Sequence, residues 1–211
     1  MATKRLVAVP RQPVVYQFRI ALLEIRPEIW RRIVVPENYT FWDLHVAIQD
    51  AVGWLDYHLH QFDIKGPASS VVSIGIPTEE FDEEIVPGWE VKISKYFNRP
   101  GQTAGYTYDF GDGWRHEVML ESLFLGTSGG RYPTCIAGER ACPPEDCGGS
   151  YGLKELNRVL ANPRHKEHRK MAEWVKGQGR YRPYHPEEFT LEQVRFDNPK
   201  ARWNRAFKDE R

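Results

Sequence analysis

YTYDFGDGWRHEVMLESL, residues 106–123, decides the architecture, because two strand-forming stretches meet there across Gly111-Asp112-Gly113. Two registers compete. A two-residue Asp112-Gly113 turn sets Asp109 opposite His116, whereas a three-residue loop with Gly113 left-handed sets Phe110 opposite Trp114. Only the second register collects Tyr106, Tyr108, Phe110, Trp114, His116, Val118 and Leu120 on one face. A one-residue slip scatters that apolar set, so the three-residue loop is expected. It points His116 inward and Asp109 outward beside Arg115, where Asp109 serves either as a turn brace or Arg115 partner, or in catalysis.

Working outward, Tyr16 to Leu23 alternates as a strand and Trp30 to Val35 as its hairpin partner. Thr40 followed by Asp43 resembles a capping box. Leu44, Ala47, Ile48, Ala51 and Val52 then keep helical spacing up to a stop at Gly53. His58 to Ile64 reads as a strand. Residues 66 to 90 read as an acidic excursion, carrying Glu79, Glu80, Asp82, Glu83, Glu84 and Glu90, with at most a short strand at Val71 to Ile76. A short helix is expected over Val91 to Phe97, and a loop over 126–149. Leu153, Leu156 and Leu160 make one helical stripe and His168, Met171, Ala172 and Val175 another. Phe189 to Phe196 fits a strand or a helical turn, and Pro199 to Phe207 a last helix. The expected class is α+β: a mainly antiparallel sheet with one well-defined packed helix, plus a helical C-terminal region. The expected division is a sheet domain over 1–125 and a Cys/Pro-rich loop and helical region over 126–211, packed on the sheet as one unit.

With 29 basic and 29 acidic residues the net charge is zero, which argues against a nucleic-acid coat protein. The apolar run Leu6 to Val9 is cut by Pro10, too short for a signal-peptide core. Charges interrupt every longer apolar stretch, so no membrane partner is expected. Three cysteines, an odd number, fit reduced thiols in a cytoplasm better than a secreted disulfide framework.

Several clusters could carry chemistry. On a strand, His58 and His60 share a face with Phe62 and Ile64, as a metal pair, an acid–base couple or core histidines. Cys135, Cys142 and Cys147 lack zinc-knuckle spacing and would need a fourth ligand such as His116, His58 or His60. Glu145 and Asp146 follow two prolines in a rigid turn and could cap the helix near Gly152. From Lys154 to Arg182 there are nine Lys and Arg against three acids, and from Arg195 to Arg211 six against three. Arg158, Arg164, Lys166, Arg169 and Lys170 are therefore a candidate phosphate-contacting face, or else a solvated helix surface.

IWRRIVVPENYTFWDLHVAIQDAVGW, HLHQFDI, YDFGDGWRHEV and YPTCIAGERACPPEDCGG, taken together and in this order, resemble the Ri-plasmid ORF-three-like family. The resemblance runs from about Val14 to Phe207. It implies an α+β domain carried with plasmids and insertion elements, often labelled a transposon-resolvase passenger, and it brings no activity with it. Resolvase chemistry does not fit. Ser69 and Ser70 sit in a loop without flanking arginines, and Tyr181 and Tyr184, among Arg180, Arg182 and His185, lack a recombinase spacing. The motifs fall on Arg31, His58, His60, Asp109, Asp112, His116, Glu145 and Asp146, which implies one shared cleft. Three functions follow as expectations: an accessory module contacting nucleic acid or a protein partner, a hydrolase or nuclease using a divalent metal at these His and Asp residues, or an interaction domain without catalysis.

Overall fold

The computed structural model of the chain describes residues 12–66, 70–78, 84–180 and 183–208. Leu6 to Val9, Ser69, Glu79, Glu80, Asp82, Glu83, Tyr181 and Arg182 lie outside these residues. An eight-stranded sheet is formed by β1 (Val14–Leu22), β2 (Ile29–Pro36), β3 (His60–Lys65), β4 (Val71–Gly75), β5 (Val86–Pro87), β6 (Thr103–Tyr108), β7 (Trp114–Leu125) and β8 (Thr134–Glu139). Its order is β5-β4-β3-β6-β7-β1-β2-β8, and β4–β5 is its one parallel pair among the described residues. The helices are α1 (Phe41–Val52), α2 (Gly149–Leu160), α3 (His168–Val175) and α4 (Pro199–Phe207). The α+β class read from the sequence is the one observed. Among the described residues no helix is long and apolar enough to cross a membrane.

The strand alternation explains the core. Tyr16, Phe18, Ile20 and Leu22 of β1, Phe62 and Ile64 of β3, and Tyr106, Trp114, Val118 and Leu120 of the β6–β7 hairpin are all buried. Against them lies α1, opened by the Thr40/Asp43 capping box and closed by Gly53 in a left-handed conformation (φ 87°). On the opposite side of β1 and β2, Arg32 forks onto Glu121 at 2.5 and 2.8 Å, with Gln17 on the same carboxylate. The bulge that leaves Glu121 between Leu120 and Ser122 without a partner on β1 helps to place it there.

The hairpin differs from expectation in one respect. Tyr108 pairs with Trp114, so the loop is the five residues Asp109 to Gly113. Face parity is kept and His116 is inward, but Phe110 leaves the core and Asp109 turns in rather than out. The physical reason is local. Asp109 adopts φ 56° and its carboxylate accepts the N–H groups of Gly111 and Asp112 at 2.9 and 3.2 Å, an Asx turn that replaces a strand pair. Arg115 pairs with Glu24 instead. The expected loop at 126–149 contains β8, which Gly138 and the polar residues at its ends disguise. Residues 91–97 hold only a 3-10 turn at Ile93–Lys95, and Leu191–Gln193 another.

Candidate functional site

Strand β3 begins at His60, so His58 lies before it and the two histidines diverge. His60 is buried and stacked on His45 of α1, with ring centroids 3.4 Å apart and planes 6° from parallel. His45 Nδ1 faces the Tyr106 hydroxyl at 2.9 Å and Nε2 faces Asp56 at 2.8 Å, while Gln49 donates to the same hydroxyl at 2.8 Å. Burial and the neighbouring His45 push the His60 imidazole well below its ordinary range. Burial would raise Asp56, but His45 overcomes it and holds that carboxyl well below the usual carboxylate range. His116 is sealed in the core, where burial pushes it down to about 4. His60 and His116 are therefore core groups, not solvent-facing ligands.

His58 is the exception. Its Nε2 lies 3.1 Å from Asp146 Oδ1 and 3.6 Å from Asp109 Oδ2. Ligand atoms of His58, Asp109 and Asp146 all fall within 4.8 Å of one another, the one such group among the described residues. That nitrogen is shielded from solvent, yet it makes no hydrogen bond among the described residues. Close contact with two carboxylates without N–H alignment suits a shared cation. Ligands 2.0–2.2 Å from one ion stand about 3.0–3.6 Å apart at octahedral or tetrahedral angles. One imidazole and two carboxylates are a donor set for manganese, iron or zinc, with coordination positions left over.

Two segments place its carboxylates. Asp109 is fixed by its Asx turn and by its N–H donating to the Leu59 carbonyl at 3.0 Å. Asp146 rides on the segment from Cys142 to Gly149, which is pinned to the sheet by several bonds. The Trp54 indole donates to the Pro143 carbonyl at 2.7 Å, and buried Glu145 accepts from Tyr108 Oη and the Leu55 N–H, each at 2.6 Å. Burial pushes the Glu145 carboxyl up against those bonds. Asp112 accepts from the Gly148 N–H at 3.1 Å, and a Cβ on Gly149 would stand 2.5 Å from the Asp112 carbonyl oxygen, so the backbones meet where only glycine fits. Glu145 and Asp112 thus hold the segment, and neither Glu145 nor Asp146 caps α2, whose N-cap position is Gly148 and which has no side-chain cap.

The other candidates separate. No three-residue ligand group among the described residues contains a cysteine. Cys135 is buried in β8, and Cys147, beside the Asp cluster, is pushed up to about 12 by burial and by Asp112. Arg31 is buried, bonded to the carbonyls of Ala51, Trp30 and Glu139 and stacked on Phe189, a structural position. Arg158, Arg164, Lys166, Arg169 and Lys170 are all exposed on α2, α3 and their connection, with Arg158 bonded to Glu155. Arg202 is different: it is buried against Asp50, Asp56 and Asp197, which removes it from any phosphate face. His45 and Asp56 were not singled out from the sequence, and Tyr108 was read only as one of the inward-facing hairpin residues. The visible signal for His45 was its four-residue spacing from Gln49 on the buried side of α1.

Two relatives match this chain over most of their length. The uncharacterised protein y4hQ of Sinorhizobium fredii is 34% identical over 163 residues, covering 76% of this chain and 80% of that protein. A crystal structure of a protein of unknown function, MM3350 from Methanosarcina mazei Go1, superposes with a TM-score of 0.77 at 39% identity, covering 88% of this chain and 99% of that one. The family model for the plasmid pRiA4b ORF-3-like protein matches residues 14–193. This chain belongs to the plasmid pRiA4b ORF-3-like family.

Proposed function

We propose that the protein is a divalent-metal-dependent hydrolase of the nuclease type, with His58, Asp109 and Asp146 as its metal ligands. The observation that carries this reading is the convergence of His58 Nε2 on two carboxylates without a hydrogen bond. A bound cation would supply Lewis acidity and an acidified water. The chain would contribute a ligand frame set by the Asp109 turn, the braced Glu145 segment and the half-open position of Asp146. Calorimetric titration with Mn²⁺ and Zn²⁺ tests it directly. One ion per chain is expected, lost in Asp146→Ala, whose exposed side chain leaves the fold intact. Absence of binding by the wild type makes the trio an ion-pair latch and removes the hydrolase.

A second reading, an accessory module that contacts nucleic acid without cleaving it, is favoured by the exposed basic side chains of α2 and α3. Salt-dependent affinity with no metal binding would select it.

A further inference from the structure

Arg31 of β2 is 2% exposed, and among the described residues it has no ion pair with a carboxylate. Its Nε donates to the Ala51 carbonyl at 3.0 Å, and Nη1 to the carbonyls of Trp30 and Glu139 at 2.7 and 3.0 Å. Those bonds fix the guanidinium but leave both N–H groups of Nη2 without an acceptor among the described residues. The last turn of α1, reached through Ala51, returns about half a negative charge. The remainder is uncompensated, whereas a buried charge is ordinarily paired. Phe189 covers one face of the guanidinium, 3.9 Å from Cζ. Gly138 stands opposite Arg31 on β8, where a Cβ would meet Phe189 at 2.6 Å and Arg31 Cδ at 2.8 Å, so the sheet is notched to hold both. Beside them opens a cavity of about 90 Å³, with Arg31 as its buried floor and His185, Glu188, Thr190 and Gln193 on its exposed rim. The side chains of Thr190 and Gln193 make no hydrogen bond among the described residues.

From this we infer that the cavity binds a small monocarboxylate of about acetate size, held by Nη2 of Arg31, with Thr190 and Gln193 donating from the rim. Charge and volume select the class. One cation without a counter-ion takes one negative charge, and its N–H groups bond a carboxylate more strongly than a neutral acceptor. A phosphate dianion would bring a second negative charge beside Glu188. At roughly 30 Å³ per water, the cavity has room for about three waters, the space of a few heavy atoms. The site shares no residue with His58, Asp109 and Asp146 and does not rest on the metal reading.

The test is an NMR titration of the full chain with sodium acetate in EDTA, with sodium chloride holding the ionic strength constant. It is read at the Arg31 Nε–H resonance, whose bond to the Ala51 carbonyl slows exchange with water. Expected is one saturable shift with a Kd on the order of a millimolar, as suits so few heavy atoms. Thr190→Val should weaken binding about fivefold, the size of one lost hydrogen bond. Glu188→Gln should tighten it about threefold by removing a like charge. Lys65→Gln, on β3, should leave it unaltered. Thr190 and Glu188 are both exposed, so their variants keep the fold, which amide spectra confirm. No saturable shift, an equal response when chloride or phosphate replaces acetate, or one affinity shared by Thr190→Val and Glu188→Gln would overturn the inference.

Discussion

Asp109 carries two duties at once, and they can be separated by chemistry. Its left-handed backbone and its two accepted N–H bonds make the turn, while Oδ2 faces His58. Asparagine tolerates the left-handed region and keeps one acceptor oxygen. Asp109→Asn should therefore melt within a few degrees of the wild type while losing at least about a hundredfold in Mn²⁺ affinity, because a carboxylate ligand becomes a neutral amide. Asp109→Ala should also lose about 1–3 kcal/mol of stability, read by urea unfolding. Equal Mn²⁺ affinity in Asp109→Asn would place the ion elsewhere. His116 bears a separate expectation. Its imidazole is neutral in the fold down to about pH 4, against 6.5 for a free one. The sign follows from proton uptake: the unfolded chain binds a proton first, so stability is full above pH 6.5 and falls as pH drops from 6.5 toward 4. His116 alone accounts for roughly 3 kcal/mol of that loss. Glu145, with its carboxyl raised by burial, works in the opposite sense on the acid side. Unfolding free energies at pH 7 and 5, together with the NMR titration midpoint of the His116 ring, check this; a midpoint near 6.5 would refute it.

At the scale of elements, the segment from Cys142 to Gly149 decides whether the candidate site exists. Tyr108→Phe removes the donor to buried Glu145 and should cost about 1–3 kcal/mol, since a buried carboxylate loses a partner. It should also weaken Mn²⁺ binding, because Asp146 sits next to Glu145 in the same segment. Unchanged metal affinity in Tyr108→Phe would mean that Asp146 is positioned by other contacts. The sequence was legible where local rules act alone. Thr40, Asp43 and Gly53 announce α1, and the alternation through Val118 announces the buried face of β7. It was less legible where one backbone preference overrode pairing. Nothing in YDFGDGW distinguishes an aspartate that continues a strand from one that turns left-handed, and that single choice moved Asp109 from outside to inside. The His58–Asp146 approach spans 88 positions and depends on Gly149 fitting beside Asp112, a long-range contact that periodicity does not encode.

Across the whole molecule, the C-terminal helix is tied to the first one by charge. Arg202 of α4 lies 2.6 Å from fully buried Asp50 of α1 and 2.7 Å from Asp197, with Arg180 on the same two carboxylates. Trp42, Trp89, Trp203 and Phe207 pack beside this network. Arg202→Ala strands Asp50 in the interior and should cost about 3–5 kcal/mol. Because α4 then loses its anchor on α1, the urea midpoints by tryptophan fluorescence and by circular dichroism should fall together in one transition; two separate transitions would show that α4 docks as an independent piece. The same network reaches Asp56, 3.4 Å from Arg202, and through it the histidine stack. Gln49 donates to the Tyr106 hydroxyl, that hydroxyl faces His45 Nδ1, and His45 Nε2 faces Asp56. One unbroken polar chain thus runs from helix to sheet to helix to loop and ends beside a cation from α4. The joint between α1, β6 and α4 is therefore wired as well as packed.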